Sequence, residues 1–154
     1  MARFVARVQS PMPVADAFAL FSDMRTFATW DPGIPRVEQV VGEGAGPGAA
    51  YEVTAAAFLR DITLRYVTEE YHVPDDPTDP PEVLLVARGP LLTSFDRITV
   101  TSTPAGSMIV YDADLRLTGI LRLGDPGLRL AFRWIGARAE AGMRKATSGV
   151  SVPA

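Results

Sequence analysis

The sequence has no cysteine and only one histidine, His72, among its 154 residues. The absence of cysteine excludes disulfide frameworks, thiolate zinc sites, iron–sulfur clusters and cysteine nucleophiles, and a single histidine excludes a multi-histidine metal centre. No apolar run is as long as a membrane-spanning helix, and arginines interrupt the apolar residues of the amino terminus, which therefore does not resemble a signal peptide. We expect a cytoplasmic protein without metal or cofactor.

A strong excess of one charge is also missing, because the net charge is only −3. Such a balance provides little attraction to phosphate backbones, so no nucleic-acid partner is expected. The chain has the length of one domain, and its 47% hydrophobic content is typical of a globular protein. We predict a single domain over residues 1–146, followed by a flexible, polar tail at residues 147–154.

Alternation of apolar and polar residues predicts a mainly antiparallel β protein with a few helices. Strands are predicted at residues 3–8, 37–41, 49–58, 62–71, 82–88, 93–103 and 107–117. Short helices are predicted at residues 14–21 and 24–29, and a long helix begins at Asp125, where Pro126 suits the first helical position. The predicted fold class is α+β, with a seven-stranded antiparallel sheet curled around a long carboxy-terminal helix.

A sheet with an apolar face larger than one helix can cover leaves room inside the curl, and such spaces bind apolar ligands. In an antiparallel meander the connections alternate between the two ends of the sheet. One end therefore collects apolar loops at residues 30–35, 58–60, 89–92 and 118–124, which we interpret as the mouth of a pocket. Two alternatives stay open: these residues cap a filled core, or they form a surface for transient membrane contact or a homodimer.

Several segments carry a resemblance to a known superfamily. They are Val8-Gln-Ser-Pro-Met-Pro-Val-Ala-Asp-Ala-Phe18, Phe21-Ser-Asp23, Thr29-Trp-Asp-Pro32, Gly46-Pro-Gly48 with Tyr51, Leu64-Arg-Tyr66, Ser94-Phe-Asp96, Val110-Tyr-Asp-Ala-Asp114, and Gly127-Leu128 with Phe132. From about Phe4 to Met143 the chain resembles the START-like, Bet v 1-like helix-grip superfamily (SRPBCC), in particular its polyketide cyclase/dehydrase and lipid-transport-like members.

This resemblance implies a START-like domain with a hydrophobic cavity between the sheet and the carboxy-terminal helix. The implied ligand is a small hydrophobic molecule: a lipid, a steroid or a polyketide-like compound. Because one scaffold serves enzymes, carriers and sensors, a polyketide cyclase or dehydratase is a second possibility, and a protein-docking module without a ligand is a third.

Residues predicted to face the interior or to lie at its mouth form the candidate ligand site. They are Trp30, Tyr51, Val53, Phe58, Leu64, Tyr66, Leu91, Ile98, Tyr111, Leu115, Phe132, Ile135 and Gly136. Among them the three tyrosines, Tyr51, Tyr66 and Tyr111, have hydroxyls that would orient the polar end of a ligand. The alternative is that these hydroxyls are bonded to backbone or water in a filled core.

The strand at residues 93–103 is ambiguous. If Ile98 faces inward, Asp96 faces inward too, whereas an inward Phe95 would bring Arg97 with it. The first arrangement is favoured, and it makes Asp96 a candidate catalytic acid or base, since a buried carboxyl has a raised pKa. The alternative is a carboxylate near the strand end that water reaches.

Three other sequence features resemble functional motifs but are not interpreted as catalytic or cofactor-binding sites. Asp112 and Asp114 share one strand face, but it is the solvated one. His72 is expected at the surface, opposite the mouth. Residues 42–48 imitate a dinucleotide-binding glycine loop, yet a strand follows where the phosphate-binding helix would have to begin.

Beyond its first turn, the long helix contains the glycines Gly136 and Gly142. Each weakens a helix by about 1 kcal/mol relative to alanine. Their presence indicates either room for a ligand at the helix backbone or close packing on a neighbour, and close packing is favoured.

Overall fold

The computed structural model describes residues 2–56, 61–119 and 125–153, without the side chains of residues 125, 126, 128 and 129. Its elements are β1 (Ala2–Ser10), α1 (Val14–Ser22), a 3-10 turn (Met24–Thr26), α2 (Phe27–Trp30), β2 (Arg36–Val41), β3 (Ala50–Ala56), β4 (Asp61–His72), β5 (Glu82–Arg88), β6 (Leu92–Thr103), β7 (Gly106–Leu117), α3 (Asp125–Thr147) and β8 (Val150–Ser151). The order of helices and strands matches the prediction.

The described strands form one antiparallel sheet in the order β2-β3-β4-β5-β6-β7-β1-β8. Neighbouring strands from β2 to β7 are joined by hairpin connections, and β1 closes against β7 with Ala6 opposite Tyr111. The sequence predicts seven strands; the eighth is the two-residue β8, in which Val150 and Ser151 pair with β1. It lies within the segment predicted as a tail.

The helices α1 and α2 cover one part of the inner sheet face with apolar side chains. Phe21 and Phe27 are fully buried, and their rings lie 5.1 and 4.6 Å from the ring of Trp30. The periodicity that predicts α1 is confirmed, because Ala17 and Phe18 are buried on the same face as Phe21. This packing holds Trp30 in place at the end of α2.

The long helix α3 packs on β1 and α2 through its smallest residues. A side chain at Gly136 would overlap the ring of Phe4, and one at Gly142 would overlap the carbonyl oxygen of Trp30. Close packing is thus the reason for both glycines, as favoured from the sequence. The structure also corrects the predicted inward position of Ile135, which is 38% exposed, while the buried described residues of α3 are Gly136, Ala139, Met143 and Thr147.

The connections are distributed between the two ends of the sheet as predicted. The hydrogen bond from the Ala56 N–H to the Gly33 carbonyl, 2.8 Å, places the loop after α2 beside the end of β3. At the same end the Thr118 N–H donates to the Leu91 carbonyl at 2.9 Å. The predicted loop at residues 58–60, with Phe58, and residues 120–124 of the predicted loop at 118–124 lie outside the described residues. We call this end of the sheet the open end.

Candidate functional site

Burial of the inward-facing side chains decreases toward the open end on β3, β4, β6 and β7, whereas on β1 the inward Ala2 is buried at this end. On β4, Tyr66 is buried while Leu64 and Ile62 are half-buried. On β7, Ala113 is buried while Leu115 is half-buried. The same change occurs from Val53 to Ala55 on β3 and from Ser94 to Leu92 on β6. These inward residues are apolar except Ser94 and Tyr66, so the partly exposed side chains at this end belong to an apolar sheet face.

A carboxyl group lies where the half-buried region ends. Asp96 is 3% exposed and shares the inner face of β6 with Ser94, Ile98 and Val100. Phe95 and Arg97 alternate to the other face, where both are half-buried. The favoured orientation of this strand is therefore confirmed, and Asp96 is not the water-reached carboxylate of the alternative. Whether Asp96 takes part in chemistry stays a prediction.

Hydroxyl groups from three strands surround the Asp96 carboxylate. Tyr111 on β7 donates a hydrogen bond from its hydroxyl to Asp96 Oδ1 at 3.2 Å. Ser94 Oγ lies 3.4 Å from Oδ1 and 3.3 Å from Oδ2. The Tyr66 hydroxyl on β4 also interacts with the Asp96 carboxyl and with Ser94. We call Asp96, Ser94, Tyr66 and Tyr111 the polar cluster.

Burial determines the acid–base properties of the polar cluster. Removal from water raises the pKa of Asp96 from 3.8 to about 6, although hydrogen bonds from Tyr66, Tyr111 and Ser94 oppose that rise. Burial and the Asp96 charge together hold the pKa of both tyrosines well above the ordinary value. Among the described residues, Asp96 has no cationic partner. With a pKa of about 6, Asp96 exchanges its proton at a higher pH than an ordinary carboxyl, while the raised pKa values keep the tyrosines protonated.

A second buried carboxyl, Asp31, adds to the negative field near the polar cluster. It follows Trp30, is 7% exposed, and its Oδ1 accepts a hydrogen bond from the Gly33 N–H at 2.8 Å. Burial raises the pKa of Asp31, against the backbone hydrogen bond and the nearby Arg138. The Asp31 charge in turn raises the pKa of Asp96. The two acids thus disfavour each other's ionisation.

Trp30 connects the helical layer to the polar cluster. Its ring lies edge-on to the ring of Tyr111, with centroids 6.5 Å apart. The indole Nε1 is buried and has no hydrogen-bond partner among the described residues. A buried donor without a partner is costly, so Trp30 offers an unused hydrogen bond near Tyr111.

The structure separates Tyr51 from the other two tyrosines, and this corrects the predicted trio. The Tyr51 side chain is fully buried, but its hydroxyl donates to the Gly44 carbonyl at 3.2 Å. Gly44 belongs to the loop between β2 and β3, at the end opposite the open end. Tyr51 therefore packs in the core with its hydroxyl already bonded, and two tyrosines instead of three converge on one point.

The other predicted site residues occupy three environments. Val53 and Ile98 are fully buried. Leu64, Leu115 and Phe132 are half-buried on the inward faces, and Gly136 lies against Phe4. Leu91, on the loop between β5 and β6, is 59% exposed at the open end.

Sequence reasoning missed two members of the site. Ser94 lies two residues before Asp96, so strand alternation places both on one face once the orientation is known. Asp31 had no such signal, because it lies in a Pro-rich loop whose burial depends on packing of α3.

The outer face of the sheet has the opposite character. Asp112 pairs with Arg3, with Arg3 Nε to Oδ1 at 2.8 Å, and Asp114 pairs with Arg116 at 2.8 Å, as expected for a solvated face. His72 lies at the surface beside Asp79. An open groove of about 420 Å³ lies on this outer face, and another of about 560 Å³ lies between α2 and α3, where Trp30 and Asp31 line it; no member of the polar cluster lines either groove.

The sheet that grips α3 and the buried polar cluster define a helix-grip protein of the α+β class. Residues 1–148 match the family model described as polyketide cyclase / dehydrase and lipid transport, so the chain belongs to that family. No curated protein matches the sequence. In the described parts of the chain, no helix is long and apolar enough to cross a lipid bilayer.

Solved structures with the same fold cover nearly the whole chain. Ara h 8.0201 is 21% identical, with a TM-score of 0.56, covering 93% of this chain and 97% of its own. The di-domain ARO/CYC StfQ from the steffimycin biosynthetic pathway is 15% identical, with a TM-score of 0.68, covering 96% of this chain and 49% of its own. The STAR-related lipid transfer protein of Xanthomonas axonopodis is 13% identical, with a TM-score of 0.66, covering 92% and 85%. At these identities the likeness shows the helix-grip fold.

Proposed function

We propose that the protein binds a small hydrophobic molecule in the interior between the sheet and α3, with the polar end of that molecule at the polar cluster. The observation that carries the proposal is the decrease in burial of the apolar inward residues of β3, β4, β6 and β7 toward the open end, which begins just beyond Asp96. Family membership supports it, because lipid transport and polyketide chemistry both concern molecules of this kind. Apolar walls with a few convergent polar groups are typical of ligand pockets.

The cost of the polar cluster also supports the proposal. A carboxylate buried without a cation loses hydration that hydroxyl hydrogen bonds replace only in part, which is reflected in the raised pKa of Asp96. An apolar residue at position 96 would avoid this cost. Retention of a destabilising buried acid is typical of a functional site.

A substitution that places a tryptophan side chain in the proposed binding cavity tests the proposal, because the ring would occupy the space that a ligand needs. Ala55 faces inward and is half-buried, whereas its neighbour Ala56 is exposed on the other face of β3. We expect Ala55→Trp to fold, because the proposed cavity would accommodate the new ring, and to bind the neutral fluorophore N-phenyl-1-naphthylamine about tenfold more weakly than wild type. Fluorescence titration measures the affinity, and circular dichroism confirms folding.

Ala56→Trp is the matched control, with the same substitution on the outer face and an unchanged affinity. Unfolding of Ala55→Trp together with normal behaviour of Ala56→Trp would indicate a filled interior, since extra volume destabilises a packed core. That result, or binding of the fluorophore by Ala55→Trp as tight as in wild type, would contradict the proposal.

A second candidate function is proton transfer on a bound polyketide-like chain. The pKa of Asp96, raised by burial to about 6, favours it, because a general base works best near the operating pH. Asp96 would accept a proton from a carbon next to a carbonyl and return it to an oxygen during cyclisation or dehydration. Asp96→Asn is expected to abolish turnover of a poly-β-ketone thioester without loss of binding, while an unchanged rate would exclude this role.

A further inference from the structure

The polar cluster presents hydrogen-bond acceptors to the interior. A carboxylate only accepts, and the Tyr111 and Ser94 hydroxyls direct their protons at Asp96. Once its proton is used in this way, a hydroxyl offers lone pairs to any further partner. The Tyr66 hydroxyl, which also interacts with Asp96, is in the same position. A ligand group that donates hydrogen bonds therefore fits the polar cluster better than one that only accepts, although Trp30 Nε1 outside the cluster, unpartnered within the described part of the chain, is itself a donor.

The described ionisable groups that act on Asp96 are acids or phenols. They are Tyr66 from β4, Tyr111 from β7 and the Asp31 carboxyl after α2. The described residues of α3, β1 and β5 that face inward carry no charge, and Arg138 is close to Asp31 at the outer groove. A ligand carboxylate placed here would be a third acid beside two that already disfavour each other's ionisation.

We propose that the polar cluster selects apolar molecules whose head group donates hydrogen bonds, a hydroxyl or an ammonium, and discriminates against carboxylates such as fatty acids. This inference rests on the proposed function and adds the chemical class of the ligand. Its physical basis is the pairing of a donor with the Asp96 carboxylate, strengthened because one partner is charged and water is excluded.

Three probes that share one chain test this selection. Dodecan-1-ol, dodecylammonium and dodecanoate compete with N-phenyl-1-naphthylamine for the wild-type protein at about pH 7.5, where Asp96 and dodecanoate are both ionised. We expect dodecan-1-ol to bind at least about tenfold more tightly than dodecanoate, because like charges in a buried site repel strongly. Dodecylammonium shows which property of the head group is recognised. Tighter binding than dodecan-1-ol would indicate recognition of the positive charge, and equal binding would indicate recognition of the hydrogen-bond donor.

Asp96→Asn identifies the source of the selection. The amide has nearly the shape of the carboxyl, carries no charge and adds an N–H donor, so the ratio between alcohol and carboxylate is expected to fall toward one. Asp112→Asn makes the same substitution on the outer face, beside Arg3, and is expected to leave the ratio as in wild type. Circular dichroism verifies that both variants fold, and if Asp96→Asn does not, the wild-type comparison alone decides.

The failure of this inference differs from the failure of the proposed function. Dodecanoate that competes as well as dodecan-1-ol against wild type would overturn the selection and leave ligand binding intact. A wild-type ratio above about tenfold that persists in Asp96→Asn would overturn the role of the carboxylate. Absence of binding by the fluorophore and by all three probes would overturn the proposed function itself, and the selection with it.

Discussion

Two aspartates on neighbouring strands show how different the faces of one sheet are. Asp96 on β6 and Asp112 on β7 lie one register position apart, because Asp96 pairs with Ala113 and Arg97 pairs with Asp112. Asp112 faces outward, where the Arg3 guanidinium binds it and water is available. Asp96 faces inward, where its described partners are hydroxyls.

The difference concerns what each carboxylate does for the protein. A surface ion pair adds little to stability, but it keeps a broad sheet face charged and hydrated. The inward carboxylate opposes folding when it is ionised, since its hydration is only partly replaced. Outer charges therefore need no explanation beyond solubility of the face, while the inner charge indicates a role in binding or chemistry.

The glycines of α3 also differ in their surroundings, and substitution of the closely packed one is expected to have the largest effect on stability. We expect Gly142→Ala to destabilise the protein by about 3 kcal/mol or more, because the new methyl group meets the backbone carbonyl of Trp30, which cannot rotate away. Gly127→Ala is the control: nothing lies within 4 Å of that position, so the better helix propensity of alanine should stabilise by up to about 1 kcal/mol. Urea unfolding measures both.

A small loss at Gly142 would mean that α3 does not approach Trp30 as closely as the structure has it. The position of Trp30 and Asp31 relative to the polar cluster depends on that contact. The comparison of the two alanine variants therefore also tests the packing of α3 on α2 that positions the site.

Much of the arrangement of strands and helices around the site could be predicted from the sequence, because it depends on local periodicity. Alternation along β6 and β7 placed Tyr111 inward and Asp112 outward, and the distribution of loops located the open end. The hydrogen-bond partner of an inward hydroxyl could not be predicted. Tyr51 faces inward like Tyr66, yet its hydroxyl is bonded to the Gly44 carbonyl. Strand alternation predicts which face of the sheet a side chain lies on, but not where along the interior its hydroxyl lies. The burial of Asp31 depends on contact with α3, more than a hundred residues away.

The pH dependence of stability in Asp96→Asn tests the difference between the two sheet faces. The expected change in the free energy of unfolding is slightly smaller than that of Gly142→Ala. Burial raises the pKa of Asp96 from 3.8 to about 6, so between these values the folded protein binds more protons than the unfolded chain. The stability that this group contributes is present below pH 3.8 and is lost as the pH rises through about 6. At about 1.4 kcal/mol per pKa unit, the loss approaches about 3 kcal/mol.

Asparagine cannot ionise, so Asp96→Asn removes this loss. Relative to wild type, the variant should gain stability as the pH increases from about 4 to about 7.5, with most of the gain between the two pKa values. Asp112→Asn, measured in parallel, replaces a carboxylate that water and Arg3 surround, and its effect on the free energy of unfolding should be much smaller. Equal pH profiles for wild type and Asp96→Asn would mean that water reaches Asp96 in the folded protein. The inner and outer aspartates would then be equivalent, and the physical basis for assigning a role to Asp96 would be lost.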